Sequence, residues 1–473
     1  MIYTITIAQT LPHQVAEALQ NNNFDLATEL VEKFDAVNST NTETLDNNFA
    51  KDVLHRIEID FNKTEEQVIS QIKKILPDVT QEQIEQWEKA GALEFMVIRG
   101  EKRYFARAAS NLFLINKEAK TLKEKSQGVK ADALENFLLE KIPNLIAEHN
   151  TTAHNYLSPQ RITITYTLSV KPNVIPSGEA IRCWLPYARF ENKRQTDITL
   201  LGFTNGGSAI PPIVSPDNFA HKTLYMEQVT ALDKPTTFTA TYSYTASANY
   251  KPIDFNKLYT IDTQGDAYKN FTEESGTHIK FTERIKELSA KIIGDETNPA
   301  RKVKRIFEWI SNNIPWAGAR EYSTLPSIPE YCVINGRGDC GIKTLLFITL
   351  CRYNGIPAKW ESGWMLHPVE VNLHDWGMFY LDQTGWVSAD QSFGVLPSQN
   401  QDVQLFFMQG LDSYRLIVNN DISGNLFPAK VFPRSETVDF QRGEVEWRGG
   451  NIYFPNWEYS IDIDYKEITD IEK

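Results

Sequence analysis

Cys340 lies in "GRGDCGIKTLLFITLCRYNGIPAKW", between glycine-bearing turns and a very apolar run. A cysteine attacks as its thiolate, and an ordinary thiol near pKa 8.5 is mostly protonated at neutral pH. A helix amino terminus carries roughly half a positive charge and favours an anion there. The run from Gly341 predicts a helix beginning at or just after Cys340. "NGIP" ends it, with Gly355 at the cap and Pro357 beyond. The spacing thus places Cys340 where a thiol gains reactivity. Cys351 falls in the middle of the same helix and reads as core, as does Cys183 beside Trp184 in a strand.

A thiol nucleophile needs a base, and the base an orienting group. "NLHDWGMFY" offers His374 on one strand, and "GWVSADQS" offers Asp390 at the end of the next, across the turn "DQTG". A hairpin centred on Asp382 sets the two opposite each other on one face, roughly 5 Å apart at Cβ. In that register the carboxylate takes the Nδ1 proton and Nε2 faces the thiol. Asp375 is then expected on the opposite strand face. Asp339 is expected to turn from the thiol and cap the helix. Trp376, two residues past His374, is either a shield over the His-Asp pair or plain packing. His367, before Pro368, reads as a surface loop residue.

These three segments, with their "GIPA", resemble the core of the transglutaminase-like superfamily over about Ile285 to Leu396. The resemblance implies a papain-like fold with a Cys-His-Asp triad: Cys340 as nucleophile, His374 as general base and acid, Asp390 as orienting carboxylate. It also implies an oxyanion donor in the Cys340 N–H, and a second in Trp316 of "NNIPWAG", which equally fits a core position. The β-rich segment with "RCWLPY" is similar to the sandwich that often precedes bacterial members. "HDW" departs from the pattern, since many members carry a small residue after the histidine. The implied chemistry is acyl transfer on an amide of a peptide or protein through a thioester. Hydrolysis is preferred, because no D-x-[DN]-x-[DN]-G calcium loop occurs; a glutamine-to-amine transferase is the alternative. A binding or scaffold protein with an idle triad is the alternative of another class.

The elements that must hold this site fill a long chain. At 473 residues, with 41% hydrophobic and 23% charged residues, several domains are expected. Residues 1–62 read as a helical region and 63–115 as a winged-helix-like module, with Thr80 an N-cap and strands about "RGEK". From Lys63 to Arg107 eight acidic residues balance eight basic ones, and the whole chain carries a formal charge of -13. The positive footprint of a nucleic-acid reader is missing, so the module reads as a protein contact or spacer. Residues 116–157 read as a polar helical connector and 158–252 as an antiparallel β-sandwich. Residues 253–400 form the catalytic core, with Val303, Ile306, Phe307 and Ile310 on one helix face, and 401–473 are strands packed on it. The expected class is α+β, multidomain.

No apolar run reaches the roughly 18 residues of a membrane span. "MIYTITIAQTL" lacks the basic region of a signal peptide, although a chain starting after a removed signal would read the same way. Four cysteines at these spacings make neither a disulfide framework nor a zinc pair, so no metal or other cofactor is expected.

Overall fold

The computed structural model describes residues 11–36, 41–190 and 193–467, so the stretch read for a signal peptide falls almost wholly outside them. The amino-terminal part packs α1 (His13–Gln20), α2 (Phe24–Ala36), α3 (Asn41–Asp60), α4 (Glu65–Lys73) and α5 (Gln81–Lys89) with a β1–β2 hairpin (Phe95–Ile98, Glu101–Tyr104) and α6 (Ala108–Ile115). Thr64 and Thr80 each accept a hydrogen bond from the N–H three residues on, while Gln67 and Gln83 reach back in capping boxes. One apolar cluster runs across position 62, joining Val53, Ile57 and Phe61 to Ile84, Trp87 and Leu112. Two helices follow, α7 (Lys117–Gln127) and α8 (Ala133–Thr152). The second is no free spacer. It buries Leu138, Ile142, Leu145 and Ile146 in the same cluster as the helix that begins at Cys340.

The sandwich is antiparallel, as the alternation predicts. One sheet runs β12 (Gly410–Leu411), β8 (Thr236–Tyr250), β3 (Tyr156–Val170), β16 (Trp457–Glu467), with β5 (Gln195–Thr204) also on β8. The other runs β15 (Gly450–Asn451), β14 (Glu444–Trp447), β4 (Ala180–Pro186), β7 (Thr223–Val229), β6 (Ile213–Val214). Ile162, Ile164, Tyr166 and Leu168 alternate inward from β3. Most strands after residue 401 thus join the sandwich, with Trp457 opposite Val170 and Glu444 opposite Trp184, whereas the one at Arg415–Asn419 pairs with Ala358–His367 in the sheet beside Cys340.

The module that carries Cys340 places α9 (Asp266–Phe271), α10 (Glu283–Ile293), α11 (Pro299–Asn313), α12 (Ile328–Asn335) and α13 (Cys340–Tyr353) around one sheet. Its order is β11 (Gly385–Ala389), β10 (Glu370–Leu381), β9 (Ala358–His367), β13 (Arg415–Asn419). Helix α13 is apolar nearly all round and buried along almost its whole length. It meets odd positions of β10: Phe379 lies 6.3 Å from Phe347 between ring centroids, and Gly377 abuts Ile348. Its interior thus fixes where its mouth, and Cys340, meets the strand.

Candidate active site

Cys340 is the first residue of α13, capped by Asp339, whose Oδ1 accepts from the Ile342 N–H at 3.1 Å. That cap was expected. The Tyr322 hydroxyl donates to the same Oδ1 at 2.7 Å, and burial lifts the Asp339 carboxyl to about 6. Gly341 is required by crowding. A Cβ there would sit 2.2 Å from the Tyr322 hydroxyl and 2.7 Å from Asp375 Oδ2. Gly336 closes α12 at φ +61, a left-handed turn that aims the chain into the helix mouth. Cys340 is half-buried and borders a cavity of about 260 Å³.

Asp375 corrects the first expectation. Its Oδ2 accepts the Cys340 S–H at 3.3 Å instead of facing away. The side-chain-free Gly341 lets β10 approach the helix mouth, and Gln441 fixes the other carboxyl oxygen at 2.7 Å. Burial pushes the thiol well above its ordinary range, and the charges of Asp375 and Asp339 push the same way. The Asp375 N–H works against them. The helix end alone does not make this thiol acidic. Burial likewise raises Asp375 itself, helped by Asp439 and Asp339.

His374 and Asp390 do meet, by the other ring nitrogen. Nε2 lies 2.7 Å from Asp390 Oδ2, and a carboxylate only accepts, so Nε2 carries the hydrogen and Nδ1 is the basic nitrogen of the neutral ring. The pairing Gly377 to Ala389 centres the hairpin on Gln383, not Asp382, so Asp390 lies diagonal to His374 and reaches the far ring nitrogen. Among the described residues, neither Nδ1 nor the thiol has a hydrogen bond to the other. Burial lowers the His374 pKa, against the pull of Asp390. Burial would raise Asp390, but His374 and Arg415, at 2.7 Å, outweigh it and hold the carboxylate ionised. The N–H groups of Ser392 and Phe393 bind its Oδ1.

Trp316 borders the cavity, 37% exposed, with Gly338 bridged to it across the loop before the cysteine. Trp376 is fully buried, 6.0 Å from the His374 ring, and its Nε1–H donates to Glu361 at 2.6 Å. It packs in the core beside the His374 ring. His367 is a second correction. It ends β9 fully buried, with Nε2 3.1 Å from Asp412 Oδ1, an ion-pair distance off-line for a hydrogen bond. Strand pairing runs through His367 itself, which faces Glu370, and the turn begins only at Pro368.

Several site residues escaped the sequence reading: Tyr322, Arg415, Gln441 and the amino-terminal module. Asn111 of α6 clasps Gly318, donating from Nδ2 to its carbonyl at 2.8 Å and accepting its N–H at 3.0 Å. Glu94 holds Arg337, in the loop leading to Cys340, at 3.0 Å. Arg107 lies over the Trp316 ring, 5.7 Å from its centroid, and lines the cavity. The module is a wall of the site.

Residues 286–391 match the transglutaminase-like superfamily. An uncharacterised protein of Haemophilus influenzae is 29% identical over 31% of this chain, and the match spans 44% of that protein's length. A structure from Cytophaga hutchinsonii solved as a candidate cysteine protease superposes with a TM-score of 0.43 at 14% identity, covering 66% of this chain and 92% of that one. The periplasmic domain of TgpA from Pseudomonas aeruginosa gives a TM-score of 0.24 at 13% identity, covering 52% of this chain and 93% of that one. Among the described residues no helix is long and apolar enough to cross a membrane, and no cluster of His, Cys, Asp and Glu could hold a metal ion.

Proposed function

Because residues 286–391 form a transglutaminase-like domain, we propose that this chain is a cysteine-dependent acyl-transfer enzyme, a thiol hydrolase of peptide or protein amides. The supporting observation is the 2.7 Å bond that commits His374 Nε2 to an ionised Asp390 and leaves Nδ1 as base. In this reading substrate displaces Asp375 from the sulfur, and Nδ1 takes the thiol proton as sulfur attacks the amide carbonyl. The carbonyl oxygen becomes an anion near the Cys340 N–H, which has no acceptor inside its own helix, and near the Trp316 indole N–H. The imidazolium returns the proton to the departing amine, leaving a thioester. Water, deprotonated by the same ring, then releases the acid. Asp390 orients the ring and stabilises its charged form.

A peptide panel with and without a primary amine, read by mass spectrometry, tests this. Water products lost in Cys340→Ala and His374→Ala support hydrolysis; amine adducts would make the protein a transferase. A second reading, a binding protein with an idle triad, is favoured by one feature: Asp375 on the thiol, which keeps the sulfur protonated. No product from any panel member would leave that reading.

A further inference from the structure

Carboxyl groups crowd the cavity beside Cys340, and the fold satisfies all but one of those nearest the sulfur. Asp339 is bound by Tyr322 and Ile342, and Asp375 by Gln441 and the thiol. Glu436 takes the Gln441 N–H at 2.7 Å and Arg442 Nε at 2.7 Å. Asp439 lines the same cavity and is only 6% exposed, and among the described residues no side chain or other residue's N–H donates to its carboxyl, which is reached only by its own N–H. Its recorded hydrogen bond runs to its backbone oxygen, from Arg434. Leaving a buried carboxyl so short of donors is costly, and folds rarely do so unless a ligand completes the site.

We propose that Asp439 is the specificity determinant for a primary ammonium group carried by the substrate close to the amide that Cys340 attacks. An ammonium supplies the missing donors in a compact charge, and its remaining hydrogens suit the neighbouring Asp375, whose carboxyl already feels Asp439. Arg442 cannot play this part, because its fork is spent on Glu321 at 2.8 and 2.7 Å. The cavity admits a group of side-chain size. Burial, with Glu436 beside it, lifts the empty Asp439 carboxyl to about 8, so an arriving cation restores its ionised form. Arg442 and Arg434 pull in the other direction, and Asp375 faces it across the cavity.

The inference rests on the acyl-transfer reading only in taking Cys340 as the reacting atom, and its test needs no turnover. Alkylation of Cys340 by iodoacetamide is followed in the full chain at pH 7.5 and constant ionic strength, with n-butylammonium or 1-butanol as protectant. The ammonium is expected to protect at about a tenfold lower concentration than the alcohol, the worth of one charge-assisted hydrogen bond. Asp439→Asn is expected to erase that preference, each probe's protection being read against the variant's own unprotected rate. Equal protection by the two probes in the wild-type chain overturns the proposal without any variant, as does a preference that survives in Asp439→Asn. Absence of acyl transfer would leave this result standing, and turnover without ammonium preference would sink this site alone.

Discussion

Asp375 accepts the thiol hydrogen of Cys340 at 3.3 Å, while its neighbour on the strand, His374, gives Nε2 to Asp390. The thiol therefore rests against a carboxyl oxygen instead of the imidazole. Since burial, Asp375 and Asp339 all raise the thiol while burial lowers the imidazole, the empty site holds neutral thiol and neutral ring at pH 7. The alkylation rate of the empty protein is expected to climb through the alkaline range, with no plateau near pH 6. Asp375→Asn removes one acidic neighbour and should raise the rate at pH 7 on the order of tenfold, as a shift of about one pKa unit implies. A plateau below pH 7 in the wild-type chain would contradict the resting state described.

Asp390→Asn tests the orienting carboxylate. An amide can donate as well as accept, so it no longer forces the hydrogen onto Nε2, and it leaves the buried Arg415 short of one anion. On any amide the enzyme turns over, kcat/KM should fall about a thousandfold or more, mostly in kcat. A fall confined to KM would move Asp390 from orienting the ring to binding substrate.

How much of this was legible depends on how local the signal is. Helix α13 was, because its apolar run is continuous and Asp339 and Gly355 flank its two ends. The β10–β11 hairpin was too, but its centre was not. Gly385, read as part of the turn, pairs with Leu381 as the first residue of its strand, and shifting the centre by one residue shifts every partner by two. The side taken by Asp375 depends on how α13 docks on β10, which alternation along the strand does not encode. Arg415 and Gln441 lie outside the matched segment, and the strand order of the sandwich joins Trp457 to Val170 across most of the chain. Charge balance along the amino-terminal module says nothing of its neighbours, and only tertiary contacts show it gripping Gly318 and Arg337.

That grip predicts a stability effect from a residue far from the sulfur. Asn111→Ala removes two hydrogen bonds and strands the buried partner groups of Gly318, which should cost roughly 2–3 kcal/mol. Because Gly318 lines the cavity, the same variant should change the protection of Cys340 against alkylation. Chemical denaturation followed by tryptophan fluorescence measures the first effect. A loss under about 0.5 kcal/mol, the level of an ordinary surface change, would mean the clasp does not hold the module in place.

Asp60, at the end of α3, gives the module a pH dependence of its own. Its Oδ2 accepts the Glu321 N–H at 3.0 Å, and burial, with the Glu321 charge adding to it, lifts its carboxyl to about 7. The folded chain therefore holds this proton more tightly than the unfolded chain, whose aspartate titrates near 3.9. Stability from this group is full below about pH 4 and is lost as pH rises toward 7. Asp60→Asn keeps an acceptor for the Glu321 N–H and removes the charge. Urea unfolding at pH 5 and pH 8 should show the variant gaining on the wild-type chain at the higher pH. If the two chains lose stability in parallel between those values, the Asp60 proton is not what couples α3 to the Glu321 loop.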